Sequence, residues 1–367
     1  MIPRTRPTID NDILNNCLLN FKTETKRKDH STFFLSSGEA CLFIFLKQFH
    51  KKKVGVQVFT CPTVLDTIQQ AGHYPIFMDI NKEYFTTTKD IIEKKIDKID
   101  ILILTHLFGI PNPDYIEIKE ICEKNNVIII DDLCQTFRAK VNGLYIEDIS
   151  SNYFYSFFSD KPISCSSGGM LKVSSKYTSN INNYILKYRK QTNNQGKRNL
   201  IKLYNIYRLL SSDIYIKEFR TGNIFENYIL ERYPIKWSDK LLYKFLSSRF
   251  NKLLSKITKK YSYSTYIEIM SDIQYIYIKQ RFETFKNTTN LLSKYYNQNN
   301  YPLPVYLFNK KIKCSCAQRA IVKKEHSNIK NAEIYLYNWP QLIDNIGFYP
   351  NANYVIQHYV NIPIYNF

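Results

Sequence analysis

The chain has 367 residues, 44% of them hydrophobic, and its 51 Lys and Arg against 32 Asp and Glu give a formal net charge of +19. That is enough apolar sequence for a large domain and a smaller one, which excludes a globally disordered chain; no run reaches the roughly 18 apolar residues of a membrane-spanning helix. The charge leaves two readings open: a codon bias toward Lys, Asn, Ile and Tyr, or attraction to anions such as a phosphorylated cofactor, a nucleotide diphosphate, nucleic acid or an anionic membrane.

The opening MIPRTRPTIDNDI carries no apolar core of the signal-peptide kind, so a cytoplasmic location is expected. Eight cysteines, Cys17, Cys41, Cys61, Cys122, Cys134, Cys165, Cys314 and Cys316, are scattered along the chain. That scatter fits reduced thiols better than a disulfide framework. Cys314 and Cys316 are too close for the usual zinc spacing and no His lies at a matching distance, so no metal site is expected.

In chain order, Ser37-Gly38 opens an apolar-periodic helix that reaches about Phe49. Residues 54–60 read as a strand, 64–71 as a short helix stopped by Gly72, and 74–78 as a strand. Residues 89–96 read as a helix, 101–105 as a buried strand, 114–124 as a helix and 127–131 as a buried strand. Two further strands, 152–158 and 170–173, bracket a loop that contains Lys161. Short apolar strands separated by helices imply an α/β protein with a mostly parallel sheet covered on both faces. Ligands of such sheets bind beyond the carboxyl ends of the strands, so the polar residues just past them are the candidates.

After about Thr178 the texture changes. Residues 180–262 are rich in Lys, Tyr and Leu at helical spacing, and 187–260 alone hold 18 Lys and Arg against 5 Asp and Glu, a balance of +13. A long amphipathic helix is expected from about Ser271 to Asn297, followed by short strand-like pieces and several prolines that resemble a small α+β domain. The expected organisation is a large domain over 1–185, a basic helical insertion over 186–262, and the long helix with a smaller C-terminal domain over 263–367.

Three short segments carry chemistry. Residues 156–161 read S-F-F-S-D-K, with Gly168-Gly169 soon after. A lysine just past a strand can form an imine with a cofactor aldehyde, Ser156 can bind a phosphate, and the glycines let backbone approach closely. Residues 128–135 read I-I-I-D-D-L-C-Q. An acid at the end of a buried strand can pair with a protonated pyridine nitrogen, or can simply cap a turn. Residues 35–42 read L-S-S-G-E-A-C-L. A helix N-terminus with Ser37 and Gly38 is a phosphate site by virtue of its N–H groups and dipole, or a plain serine cap with Glu39 in the first turn.

The order of these segments closely resembles the DegT/DnrJ/EryC1/StrS family of pyridoxal-phosphate-dependent sugar aminotransferases. Further blocks extend the resemblance: Arg6-Pro7, the strand–helix–strand stretch 59–80, T-H-L-F-G at 105–109 and M-S-D-I-Q at 270–274. The blocks run nearly continuously over 3–175 and resume from about 263. The resemblance implies an aspartate-aminotransferase-like fold (type I of the pyridoxal phosphate enzymes). It implies Lys161 as the Schiff-base lysine and proton shuttle, Asp132 as partner of the pyridine nitrogen and Gln135 as a donor to the ring oxygen. Ser156 and the Ser37-Gly38 backbone would hold the phosphate. Three positions depart from the family pattern. Glu39 stands where a threonine is usual, Cys61 where an aromatic residue often stacks on the ring, and Ile267-Glu268-Ile269-Met270 where the family has N-x-R-M, whose Asn reaches a neighbouring subunit's phosphate. That cross-subunit contact is expected to be lost.

The activity so implied is transamination of a nucleotide-diphosphate keto-sugar with an amino-acid donor such as glutamate, in a homodimer that serves surface polysaccharide (lipopolysaccharide, O-antigen) biosynthesis. Two alternatives stand beside it: a pyridoxal-phosphate-dependent sugar dehydratase, although that variation replaces the lysine, and a member that has lost turnover and acts in binding or regulation. For 187–260 three readings remain: a solvated helical extension, a surface for an anionic membrane or acidic partner, or a grip on the nucleotide diphosphate. No nucleic-acid recognition motif is present.

Overall fold

The computed structural model describes residues 8–20, 31–210, 267–285, 289–315, 319–326 and 349–363. Residues 1–207 and 266–367 fall into one compact unit, which is the one described below. Arg6, Pro7, Cys316 and the part of the basic stretch beyond Leu210 lie outside the described residues.

The chain runs α1 (Asn11–Asn20), β1 (Thr32–Leu35), α2 (Gly38–Leu46), β2 (Lys53–Gln57), α3 (Pro62–Gln70), β3 (Tyr74–Met78), α4 (Lys89–Glu93), β4 (Ile101–Thr105), α5 (Tyr115–Lys124) and β5 (Ile128–Asp132). It continues through β6 (Lys140–Val141), β7 (Leu144–Tyr145), α6 (Ile146–Ile149), β8 (Tyr153–Ser156), β9 (Gly169–Lys172), α7 (Ser175–Ile185) and α8 (Asn193–Leu210). After Tyr266 come α9 (Asp272–Glu283), α10 (Thr289–Gln298), β10 (Ile312–Lys313), β11 (Arg319–Lys323), α11 (Pro350–His358) and β12 (Tyr359–Pro363).

Seven strands form the central sheet in the order β1-β9-β8-β5-β4-β2-β3. β3, β2, β4, β5 and β8 pair in parallel; β9 runs antiparallel between β8 and β1. Period-2 alternation sends successive side chains of a strand to opposite faces. In β4 all five residues are buried, with Ile101 and Ile103 in the core under α2, α3 and α7, and Leu102 and Leu104 in the core shared with α1, α5 and α9. This is why the sequence shows a continuous apolar run there.

The boundaries differ from expectation in instructive ways. β2 ends at Gln57, not at Thr60; Val58 N still donates to Met78 O at 2.9 Å, and the Gln57 side-chain amide holds the segment beyond by donating to Phe59 O at 2.6 Å and Phe85 O at 3.1 Å. α2 ends at Leu46, short of Phe49. β8 ends at Ser156: Phe157 N–H still donates to Gly168 O, but the Gly168 N–H turns away to Ser36 O. β5 runs one residue further than read, to Asp132, so both of its terminal carboxylates are strand residues. The single long helix expected over 271–297 is broken. α9 ends at Glu283, and the β-branched Thr284 leaves the helix at φ −94°, ψ 1°. Phe282 and Phe285 then both clasp Phe137, with ring centroids 5.0 and 4.8 Å away.

Toward the C-terminus, β10 joins β6 and β7 in a three-stranded sheet, and β11 and β12 pair antiparallel. α11 is fastened to the large sheet by Asp79, whose carboxylate accepts from Asn351 N at 3.0 Å and Ala352 N at 2.9 Å. Such a cap satisfies N–H groups that a helix start cannot satisfy internally.

β9 enters the sheet at Gly169, opposite both Leu35 of β1 and Ser156 of β8. A Cβ at that position would lie 2.4 Å from Ser37 O and 2.7 Å from Gly38 N, both fixed backbone atoms. Gly169→Ala is therefore expected to destabilise the protein by ~1–3 kcal/mol through overpacking, read as a lowered urea midpoint with an unchanged slope.

Candidate active site

The end of β5 sorts two adjacent carboxylates by strand alternation. Asp131 faces α5. It accepts from Tyr115 OH at 2.8 Å, from Ser150 Oγ and from His106 Nε2 at 3.2 Å, and is 1% exposed. His106 Nδ1 accepts from Asn112 N at 3.1 Å, so its ring proton resides on Nε2, toward Asp131. The carboxylate is thus saturated by structural partners.

Asp132 shares the face of Ile130, the side covered by α2. It is 5% exposed and accepts from Cys134 N at 3.0 Å. Burial pushes its carboxyl above the usual aspartate range; the Cys134 hydrogen bonds and the charges of Lys161 and His106 pull the other way without cancelling it. Burial likewise raises the Cys134 thiol, and the neighbouring Asp132 adds to the effect. Sequence reasoning passed over Cys134, because nothing in D-D-L-C-Q marks which side chain touches the acid.

Gln135 presents its amide oxygen to Phe108 N at 3.2 Å, which orients the amide nitrogen away from that backbone. Phe108 itself is in the left-handed region at φ 58°.

α2 begins under the end of β8. Ser37 is its N-cap, in extended conformation, and its Oγ accepts from Ala40 N at 3.0 Å. Glu39 lies in the first turn, half-buried, where its charge meets the positive end of the helix dipole. Gly38 is buried so tightly that a Cβ there would lie 2.9 Å from Ser156 Cβ and 3.3 Å from Cys134 Sγ. Ser37-Gly38, Ser156, Cys134 and Asp132 are thereby one cluster. The first-turn N–H groups of α2 and the Ser156 hydroxyl, which accepts from Phe158 N at 3.5 Å, lie at its rim.

Lys161 comes from the loop between β8 and β9. Its side chain is 17% exposed, its Nζ stands 3.9 Å from Asp160 Oδ1, and its charge acts on both Asp132 and Cys134. Cys61 follows β2. It is exposed at the N-cap of α3, beyond the end of β2 and two strands away from β5, with its Sγ 3.2 Å from Thr63 Oγ1.

The residues at the departure in N-x-R-M make backbone structure. Ile269 bridges both Leu35 and Lys190, Met270 N donates to Phe34 O at 3.0 Å, and Ser36 N donates to Glu268 O at 2.8 Å. The buried Glu268 carboxylate accepts from Arg189 and from Gln191 Nε2 at 2.9 Å. Among the described residues no group of three or more His, Cys, Asp or Glu side chains could hold a metal ion.

A mostly parallel α/β sheet with a strand-end acid, a loop lysine and a helix N-terminus grouped at one edge is the layout of the aspartate-aminotransferase-like fold. A sugar aminotransferase of Streptococcus pneumoniae, solved in its PMP-form, superimposes with a TM-score of 0.61 at 15% identity, over 99% of this chain and 92% of that one. The model of the DegT/DnrJ/EryC1/StrS aminotransferase family matches residues 23–204, and the chain belongs to that family. The GDP-perosamine synthase of Escherichia coli O157:H7 is 27% identical over 167 residues, 44% of this chain and 46% of that relative. A pleiotropic regulatory protein of Geobacillus stearothermophilus is 30% identical over 115 residues, 31% of each chain. The matches thus span about half or less of the length of these curated relatives.

The two acids give opposite predictions. Asp131→Asn breaks a buried, fully used network and is expected to cost ~2–4 kcal/mol. Asp132 behaves differently. Folding raises its pKa, so the unfolded chain ionises first, and stability present below about pH 4 is eroded as pH rises through the folded value. Without cofactor, Asp132→Asn should therefore melt at or above the wild-type temperature at about pH 8, with the difference vanishing near pH 4. Thermal melts of the three proteins across pH test both statements.

Proposed function

We propose that this chain binds pyridoxal phosphate and transaminates a nucleotide-linked keto-sugar, with an amino acid such as glutamate as donor. The observation that carries the reading is the buried Asp132 beside Lys161, under the N-terminus of α2. Three features of these residues fit the group. A buried carboxylate whose ionisation is resisted by burial is suited to a cationic ring nitrogen. A cradle whose glycines tolerate no Cβ lies where a phosphate would meet helix N–H groups. A lysine side chain on a short loop, largely buried, reaches the same space.

When bound, the cofactor supplies an electron sink for the pair left when a proton is removed from the donor's alpha carbon. The protein does the rest. Asp132 holds a proton on the ring nitrogen by its negative charge. Gln135, anchored at its oxygen by Phe108 N, offers its amide N–H to the ring oxygen. Ser156 and the first turn of α2 hold the phosphate, with Ser37 Oγ committed to capping that turn. Lys161 Nζ is the group that would hold the cofactor through its aldehyde carbon, and, when free, would take up and return the proton of the donor's alpha carbon.

Glu39 and the Ile267–Ile269 stretch set this chain apart from the family pattern, and phosphate binding here relies on α2 and Ser156. The GDP-linked product named for the E. coli relative supports a nucleotide-sugar substrate, as does the family's description as sugar aminotransferases. We further propose a homodimer working in the cytoplasm on amino-sugar supply for surface polysaccharide.

The test is an ultraviolet–visible spectrum of wild type and Lys161→Ala, reconstituted with pyridoxal phosphate. Wild type should show a visible band that glutamate bleaches, and Lys161→Ala should show none. Absence of a band in folded wild type after reconstitution would overturn the reading.

A further inference from the structure

The Lys161 loop is held by contacts that the chemistry so far does not use. Lys161 N donates to Phe158 O at 3.1 Å, and its carbonyl accepts from Ser164 Oγ at 2.8 Å. Ser164 is fully buried, and the same hydroxyl lies 3.2 Å from Ser159 O. Ser164 Oγ in turn accepts from Thr8 N at 3.1 Å, while Thr8 Oγ1 donates to Pro162 O at 2.5 Å. Thr8 is anchored from behind, its carbonyl accepting from Arg281 Nη2 of α9 at 3.4 Å.

The far end of the loop meets the same helix. Gln274 Nε2, in the first turn of α9, donates to Ser167 Oγ at 3.2 Å, and Asn199 Nδ2 of α8 donates to that oxygen at 3.0 Å. Gln274 and Arg281 are seven residues apart, two turns on one face and about 10 Å along the axis. α9 is thus a rail that grips the loop at both ends. At one end it does so through its own side chain, and at the other through Thr8, a residue more than 150 positions away from Ser164 in sequence.

We propose that Ser164, locked by Thr8, is a positioning residue for Lys161. Its hydroxyl fixes the Lys161 carbonyl, and therefore the direction in which the Nζ leaves the backbone toward Asp132. The inference rests on reading Lys161 as the cofactor lysine. Its physical content is narrower: a lysine that must bond, release and return needs a base that does not move, and one donor to its own carbonyl provides that base. A general role in stability would affect the whole molecule. A positioning role affects the loop and the lysine's spectroscopic signature.

The experiment compares wild type, Ser164→Ala, Ser164→Thr and Thr8→Val. In the cofactor-free proteins, hydrogen exchange of peptides covering 157–168 should accelerate about tenfold in Ser164→Ala, the equivalent of one lost hydrogen bond, with α5 and β4 unchanged. Ser164→Thr, which keeps the hydroxyl, should restore most of the protection. Thr8→Val keeps the backbone N–H that reaches Ser164 and loses the hydroxyl's bond to Pro162 O and its longer contact to Ser164 Oγ at 3.5 Å, so it should give a smaller acceleration confined to the same peptides. With pyridoxal phosphate added, Ser164→Ala should shift the pH midpoint of the visible band and slow its bleaching by glutamate about tenfold at equal cofactor content.

Loop exchange and band midpoint equal to wild type in folded Ser164→Ala would overturn the proposal, as would acceleration spread over the whole chain. Should Ser164→Ala not fold, Thr8→Val decides: acceleration confined to 157–168 upholds the proposal, and wild-type exchange there defeats it. A wild type without any visible band would defeat the reading of Lys161, while the exchange result would still stand or fall by itself.

Discussion

Everything at the candidate site follows from one constraint, that neighbouring residues of a strand cannot face the same way. β5 extends to Asp132, so its two carboxylates are split between the two cores of the molecule. The one toward α5 is consumed by Tyr115, Ser150 and His106. The other is delivered, still buried, to the side where α2 begins. Had the strand ended one residue earlier, Asp132 would sit in a turn with no orientation fixed by the sheet, and burial could not raise its pKa as it does.

Close backbone packing completes the arrangement. Gly38 and Gly169 let the first turn of α2, the end of β8 and the start of β9 share a space that a single methyl would overfill. The same closeness brings Ser156 to the helix N-terminus and explains why small residues recur in three separate stretches of sequence. Their smallness is a packing requirement first, and the anion-facing N–H groups are its by-product.

Much of this was legible in the sequence. β3 and β4 have the bounds that periodicity predicts, and the alternating texture gives the parallel sheet. The order of S-G, D-x-x-Q and S-F-x-x-x-K identifies the chain's relatives before any coordinate is known. What sequence could not reveal is tertiary. The distinction between Asp131 and Asp132 depends on strand length to within one residue. The break after Glu283 depends on two phenylalanines finding Phe137. Cys134, Thr8 and Ser164 matter only through what they touch, and Thr8 touches a loop coded more than 150 residues later. Cys61, which the resemblance puts near the ring, is the exposed N-cap of α3 with its thiol against Thr63, a setting its sequence neighbours do not announce.

The bridge between Lys190 and Ile269 carries an implication for chain length. The two positions are hydrogen-bonded neighbours, reinforced by Arg189 and Gln191 on Glu268. Those two points close the chain into a loop, and the first described element inside it, α8, returns to the core through Leu200 and Leu203. Lengthening such a loop costs only logarithmically in chain entropy. Added length between the two points would thus fall on a segment whose base is already fastened, and Glu268 is the side chain that Arg189 and Gln191 share in fastening it.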